Sequence, residues 1–326
     1  MTKPKFEIYI GDADHDPLEA FHVLRVMDIA FGNHLNNDLR PPLGIYNTSL
    51  SRLSGRLEKC SSKLEKLFKT STHIEAVNDN KHLLEEVLDY LELSLYSAAE
   101  HVDDLKLIVN GFFDTKKDFN KSPHSKTFIK NLKHHRDFIA SVVNAIKHEQ
   151  ARVRLFSQEI KYGFHEMCLH GYFIEGVNNG EVGPNKIIHD DDSAVFSITS
   201  IIWEIICFVL KASRDLKEFL ILQTGASVKD APRGGDFFVN AIIAAARLPL
   251  YSYDDEHPFS KICLVINTDE KSKKLFSSDL HGSLAAGWGA SPEMKFGSTS
   301  SSYSGDDVTK KFKLVAPKKL SLQHWT

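Results

Sequence analysis

The segment LEEVLDYLELSLYSAAEHVDDLKLIVNGF, residues 84–112, decides the fold class of this 326-residue chain. Its apolar and small side chains recur in alternating steps of four and three residues, which is the spacing of one face of an α-helix. These side chains are Leu84, Leu88, Leu91, Leu95, Ala98, Val102, Leu105, Val109 and Phe112. The pattern predicts a long helix that buries one face.

Three other segments carry helical periodicity. Residues 128–156 repeat the same spacing after a polar turn at residues 111–123, and residues 18–39 and 46–68 precede the first segment. Helices joined by short connections tend to pack as antiparallel neighbours, so we expect residues 84–112 and 128–156 to lie side by side through their apolar seams. The four segments together predict a helical bundle in the first half of the chain.

The sequence changes character after residue 162. Short apolar runs flank the NNG triplet at residues 178–180, which is typical of a β-hairpin turn. The alternating pattern at residues 6–10 and the apolar run ICLVI at residues 262–266 predict strands, and residues 312–315 are a further candidate. The second half is therefore expected to mix helices with a small amount of sheet.

Helices are predicted near residues 194–222 and 236–248, and the low-complexity run GSTSSSYSGDD, residues 297–307, predicts a loop. We therefore expect an α+β protein that is predominantly helical and has two domains. Residues 1–162 would form an N-terminal antiparallel helical bundle with a short N-terminal strand. Residues 163–326 would form a mixed α/β portion with a short sheet.

One segment allows two interpretations. AVFSITSIIWEIICFVL, residues 194–210, approaches the length and apolarity of a membrane span. Glu204 lies at its middle, where an ionisable group would be costly in hydrocarbon. Lys211 and Lys217 then continue the pattern as an amphipathic helix. We favour a buried core helix with Glu204 paired or at a groove, so a membrane is not among the expected partners; membrane attachment through 194–210 remains the alternative.

The composition is that of an ordinary globular protein, with 42% hydrophobic and 25% charged residues. It excludes a collagen-like repeat, a disulfide-stapled miniprotein and a wholly disordered chain. The four cysteines are far apart and form no CxxC pair, and the N-terminus lacks the apolar run of a signal peptide. These features predict a cytoplasmic protein.

The chain shows no sequence frame that would hold a cofactor. The glycine turn at residues 230–236 lacks the spacing of a P-loop or of a dinucleotide-binding turn. The HEMCLH run places His165 and His170 five residues apart, and such a pair diverges on a helix, unlike the HExxH pair of zinc proteases. We therefore expect no cofactor and no metal.

The near-neutral net charge of −3 conceals two opposite segments. Residues 75–114 carry ten acidic and two basic side chains, whereas residues 115–162 carry eleven basic and four acidic ones. One explanation is that an acidic and a basic helix pair across their flanks. The other is that the basic segment offers a face to phosphate, although no aromatic interleaving accompanies it.

Four residues of the basic segment are candidates for a site. Arg136, Asn144, His148 and Arg152 follow one another at spacings of eight, four and four, which on a continuous helix places them along one stripe. A histidine among cations loses its proton readily and can act as a base, while an arginine stabilises negative charge on phosphate. Arg136, Asn144 and His148 are therefore the candidate catalytic residues for metal-independent RNA cleavage.

The same segment supplies the candidate nucleic-acid contacts, which are Lys133, Lys147, Arg152 and Arg154. A purely structural role is the alternative for His148, in which its ring bonds Asn144 or an acid of the neighbouring helix.

The NAIKH element, residues 144–148, resembles the HEPN class of helical domains found in bacterial toxin and phage-defence proteins. The resemblance covers roughly residues 75–160. Active ribonucleases of that family carry an Arg and a His separated by four to six residues, whereas eleven residues lie between Arg136 and His148. The resemblance therefore implies a bundle of the non-catalytic kind, which binds or scaffolds, and it implies a homodimer.

These observations lead to one favoured function and two alternatives. We expect a bacterial-type interaction or regulatory protein with a HEPN-like bundle, in a defence or toxin–antitoxin setting that only the resemblance implies. Its expected partner is another protein or a second copy, with RNA as a further candidate. The alternatives are a metal-independent ribonuclease that uses Arg136, Asn144 and His148, and a membrane-attached protein.

Overall fold

The computed structural model describes residues 8–9, 18–27, 33–149, 151–162, 165–178, 181–189, 196–225, 236–252, 264–267, 273–276, 293–297 and 321–323. Within these ranges the chain is a predominantly helical α+β protein, as the sequence predicted. The predicted strand at residues 312–315 and most of the predicted loop at 297–307 lie outside the described residues. The division into domains after residue 162 stays a prediction.

The described helices are α1 (Glu19–Val26), α2 (Pro42–Thr70), α3 (Ile74–Asp79), α4 (Lys81–Asn110), α5 (Lys116–Lys121), α6 (Pro123–His148), α7 (Lys186–His189), α8 (Ile198–Thr224) and α9 (Asp236–Ala246), with a 3₁₀ turn at Leu35–Asn37. The described strands are β1 (Ile8–Tyr9), β2 (Val153–Tyr162), β3 (His165–Asn178), β4 (Glu181–Pro184), β5 (Phe196–Ser197), β6 (Leu250–Ser252), β7 (Leu264–Asn267), β8 (Lys273–Phe276), β9 (Glu293–Gly297) and β10 (Ser321–Gln323).

The main sheet is antiparallel and has the strand order β4-β3-β2-β9, with β5 pairing β3 at one end. The hairpin predicted at residues 178–180 is confirmed, because Asn178 and Glu181 pair directly across a two-residue connection. A second sheet has the order β1-β8-β7, and β6 pairs with β10. Strand β7 confirms a strand at residues 264–266 of the predicted range 262–266.

The bundle is built around the antiparallel pair α2 and α4. Arg52 Nη1 bonds Glu100 Oε2 at 2.9 Å, and Lys63 Nζ bonds Glu86 Oε1 at 2.7 Å, so the residue numbers fall along α4 as they rise along α2. The predicted seam of α4 is buried apart from partly buried Leu88. Helix α4 also contacts α6, but α2 is the helix that lies along it.

Helices α8 and α9 complete the same hydrophobic core. Helix α8 packs against α1 and α6, and α9 packs against α2. Residues 198–210 of the segment that suggested either a core helix or a membrane span are therefore part of the buried core helix α8, and Glu204 is only 8% exposed. Among the helices in the described ranges, none has the length and apolarity needed to cross a bilayer.

Two helix ends differ from the prediction. Helix α6 ends at His148, and Val153 and Phe156, which continue the helical spacing, lie in β2. The amides of Glu149 and Ala151 both donate to the carbonyl of Ala145, which closes the last turn of α6 before the strand begins. An extended helix over residues 18–39 is also wrong, since α1 ends at Val26.

A buried serine links three helices. Ser213 of α8 accepts hydrogen bonds from the hydroxyl of Tyr46 in α2 at 2.8 Å and from the backbone amide of Ala20 in α1 at 3.0 Å. Ser213 and Tyr46 are fully buried. This contact therefore fixes the relative positions of helices that are far apart in the sequence.

Candidate functional site

The turn between α5 and α6 is fixed by side-chain caps at both helix starts. Thr115 Oγ1 accepts a bond from the amide of Asp118 at 3.2 Å, and Ser122 Oγ accepts one from the amide of Ser125 at 3.4 Å. The hydroxyl of Ser125 is buried and donates to the carbonyls of Phe119 and Ser122. These bonds hold the short helix α5 in place at the start of α6.

A groove of about 350 Å³ lies between α5 and α6. Phe119 of α5 and Ile129 of α6 line it, and both are partly buried against the hydrophobic core. Four cationic side chains of α6 also line it, namely Lys126, Lys130, Lys133 and Arg136. We call these four residues the basic row. At 1.5 Å per residue the row extends over about 15 Å of helix, and its spacings keep it on one face.

The basic row keeps a positive charge. Asp137 Oδ2 lies 3.0 Å from Lys133 Nζ, and Asp137 Oδ1 lies 2.7 Å from Arg136 Nη2. Hydrogen bonds from Arg136 and then Lys133 hold the pKa of the Asp137 carboxyl below its usual value. One carboxylate beside four cations leaves the groove electropositive, and the three lysines of the row are exposed.

The neighbouring helix adds charge of the same sign. Lys116, Lys117 and Lys121 of α5 are exposed, against the single carboxylate of Asp118 in that helix. Two acidic side chains of α4, Glu86 and Glu100, form ion pairs with basic side chains of α2. The basic row of α6 is therefore not the partner of those two acids.

The structure does not bring the predicted site residues together in one place. Lys133 and Arg136 lie in the groove. Asn144 and His148 are exposed on the last turns of α6, and His148 is about 18 Å from Arg136 along the axis, at 1.5 Å for each of the twelve residues. Because α6 ends at His148, Arg152 lies beyond the helix and does not extend the predicted stripe.

The other two predicted contacts are occupied within the fold. Lys147 Nζ lies 4.9 Å from the ring centroid of Tyr96 in α4, which is the geometry of a cation–π contact. Arg154 lies in β2 with its side chain 5% exposed, and its Nε donates to Glu175 of β3. The guanidinium of Arg154 is thus buried within the sheet.

Sequence reasoning missed half of the basic row and the aromatic ring beside it. Lys126 and Lys130 were counted among the basic residues of the segment but were not predicted as site residues. Their spacing to Lys133 already indicates that the three lie on one helical face. Phe119 belongs to α5, a different helix, so the spacing of residues within α6 could not predict that its ring lies beside the row. Only the folded turn brings Phe119 to the row.

A second polar cluster is enclosed in the core. Ser49 Oγ lies 2.8 Å from His101 Nδ1 and also bonds the Asp104 carboxylate. Ser49 and His101 are 4% and 1% exposed, so a substrate has no access to this serine–histidine pair. Within the part of the chain that is described, no three ligand-type side chains converge as a metal ion requires.

Comparison with known proteins gives no relative for this chain. No protein-family model matches it, and searches among curated proteins and solved structures give no match either. The groove and the basic row are therefore the features from which a function can be inferred.

Proposed function

We propose that this chain is a HEPN-like, non-catalytic interaction or regulatory protein whose α5–α6 groove binds the phosphate backbone of RNA. The observation that carries the proposal is the basic row, Lys126, Lys130, Lys133 and Arg136, aligned on one face beside a groove. Cations aligned over about 15 Å can contact successive phosphates of one strand, whereas scattered cations cannot. Binding of this kind is electrostatic and independent of sequence.

The ribonuclease alternative receives less support. A general base and a phosphate-binding arginine must both reach one reacting phosphodiester, within hydrogen-bonding distance. The helix separates Arg136 and His148 by about 18 Å along its axis, so the two side chains do not meet at one phosphodiester. We therefore propose that the protein binds RNA without cleaving it.

The proposal is tested by measuring the affinity for a fluorescently labelled RNA between about 50 and about 200 mM salt. Each phosphate contact to a single strand contributes about −0.7 to the slope of the logarithm of the binding constant against the logarithm of the salt concentration. Four contacts should therefore give a slope of about −3. The triple variant Lys126→Gln, Lys130→Gln, Lys133→Gln should reduce this slope to about −1.

The matched control is the triple variant Lys59→Gln, Lys66→Gln, Lys69→Gln, which removes three exposed lysines of α2 and changes the net charge equally. It should keep the wild-type slope. Equal losses in the two triple variants would mean that only the total charge matters and would contradict a site at the groove.

The absence of cleavage is tested separately. Wild-type protein incubated with RNA in EDTA should leave the RNA intact. Cleavage that is abolished in a folded His148→Ala variant would overturn the non-catalytic proposal and favour the ribonuclease.

We also propose a protein partner or a homodimer, which the HEPN-like resemblance implies, and a cytoplasmic location, which the sequence predicts. Cys60, Cys168 and Cys207 are free thiols, which suits a reducing compartment. Light scattering coupled to gel filtration should give the mass of a dimer for the purified chain. The mass of a single chain at every concentration would contradict the homodimer.

A further inference from the structure

The ring of Phe119 is held in place at the groove. It contacts the ring of Phe113 edge to face at 5.7 Å, and Phe113 contacts Phe219 of α8 at 6.3 Å. Phe119 is only partly buried and lines the groove together with Ile129. An aromatic ring fixed beside a cationic row is the combination that single-strand-binding proteins use, because bases stack on the ring while phosphates meet the cations.

The size of the groove limits what reaches this ring. Its volume of about 350 Å³ is at the small end of ligand sites and gives room for a flat base. A duplex presents phosphates at its surface and keeps its bases stacked inside, so it can meet the basic row but cannot place a base on Phe119. The exposed amide of Asn120, also in the lining, can donate and accept hydrogen bonds at the edge of such a base.

From this arrangement we infer that the groove holds one unpaired base of single-stranded RNA against Phe119 while the basic row binds the flanking phosphates. The inference rests on the proposed function and adds a preference for single strands. An acidic peptide is the competing ligand. The fixed aromatic ring favours RNA, since a carboxylate-rich segment gains nothing from an aromatic face.

The test compares three labelled ligands on the wild-type chain. They are a short oligouridine, the same strand carrying abasic sites, and a duplex of equal length. We expect the oligouridine to bind at least fivefold more tightly than the other two. The abasic strand tests the role of the base in the unmodified protein, so the result does not depend on any variant folding correctly.

The protein side of the test uses Phe119→Leu, which keeps an apolar side chain and removes the aromatic faces. Its affinity for oligouridine should fall about tenfold, while its affinity for the duplex and its salt slope stay unchanged. The matched control is Phe138→Leu, which removes a partly buried ring of α6 that is not part of the groove lining. It should bind all three ligands as the wild type does.

The remaining outcomes of these binding measurements distinguish the inference from the proposed function. Equal, salt-dependent binding of the oligouridine, the abasic strand and the duplex would overturn the inference and leave the proposed function standing. No salt-dependent binding to any of them would overturn the proposed function itself. Binding of a polyglutamate peptide with no binding of RNA would overturn both and would identify an acidic protein as the ligand.

Discussion

The hydroxyl of Ser213 is the acceptor for two buried donors, the Tyr46 hydroxyl at 2.8 Å and the Ala20 amide at 3.0 Å. A buried donor that loses its acceptor retains the full cost of leaving water, about 1–3 kcal/mol for each group. One small side chain therefore contributes to stability well beyond the area it buries.

Replacing Ser213 by alanine should lower the free energy of unfolding by about 2 kcal/mol, because both donors lose this acceptor and little volume changes. Urea denaturation measures the effect. Ser62→Ala, at an exposed position of the same α2 that carries Tyr46, is the control and should stay within about 0.5 kcal/mol of the wild type. Similar values for the two variants would contradict the role of Ser213.

The ion pair between Arg154 and Glu175 offers a second test. Its side chains are 5% and 7% exposed, so Arg154→Met should cost about 3–5 kcal/mol by leaving the Glu175 carboxylate buried without this partner. The double variant Arg154→Met, Glu175→Leu should recover most of that loss, since apolar pairs of similar volume often replace buried ion pairs. Chemical denaturation measures both, and a double variant as unstable as the single one would contradict this explanation.

Helix α5 shows how a short element depends on its surroundings. Six residues are too few for a helix that is stable on its own, so α5 depends on its cap and on the packing of Phe119. Thr115 Oγ1 accepts from the Asp118 amide and donates to Asp118 Oδ2 at 2.5 Å, which supplies the cap. The position of one wall of the groove thus depends on the hydroxyl of Thr115.

Thr115→Ala should therefore speed amide hydrogen exchange in residues 116–121 and weaken oligouridine binding severalfold. The free energy of unfolding should fall by only about 1 kcal/mol, which is the usual value of a helix cap. Exchange mass spectrometry and binding measured on one sample provide the test. Thr127→Ala in α6, whose hydroxyl donates to the Pro123 carbonyl, is the control. Unchanged exchange in Thr115→Ala would contradict the cap.

The sequence predicted the long helices well, because a buried face leaves a periodic pattern along the chain. It misplaced the end of α6, because Val153 and Phe156 of β2 fall by coincidence on the same three-and-four spacing. The candidate site was predicted only in part. Lys133 and Arg136 lie in one charged run, whereas their meeting with Phe119 depends on the turn at Ser122.

At the scale of the whole molecule, burial keeps at least three histidines of the described residues uncharged. Burial lowers the pKa of His101, His170 and His189 to about 3 each. In the unfolded chain a histidine titrates near 6.5, so below that pH the unfolded state binds more protons than the folded state. The stability that these neutral rings contribute is therefore complete above about pH 6.5 and is lost progressively as the pH falls towards 3.

We expect the free energy of unfolding to fall between about pH 6.5 and about pH 4.5 by up to roughly 1.4 kcal/mol per pH unit for each of these histidines. Urea denaturation across this range measures the slope. His101→Asn keeps a polar atom near Ser49 and removes one titrating ring, so it should reduce the dependence of the unfolding free energy on pH by the contribution of one histidine. Stability that is constant over this range would contradict the buried neutral state of the histidines.

Helices α8 and α9 lie in the same hydrophobic core as α2, although up to about 200 residues of sequence separate them. During synthesis, at about 5–20 residues per second, α1 to α6 leave the ribosome several seconds before α9 is made. Through that interval the faces that α8 and α9 later cover are exposed to water. We therefore expect the nascent chain to expose apolar surface until α8 and α9 are made, and a chain truncated before residue 198 to aggregate.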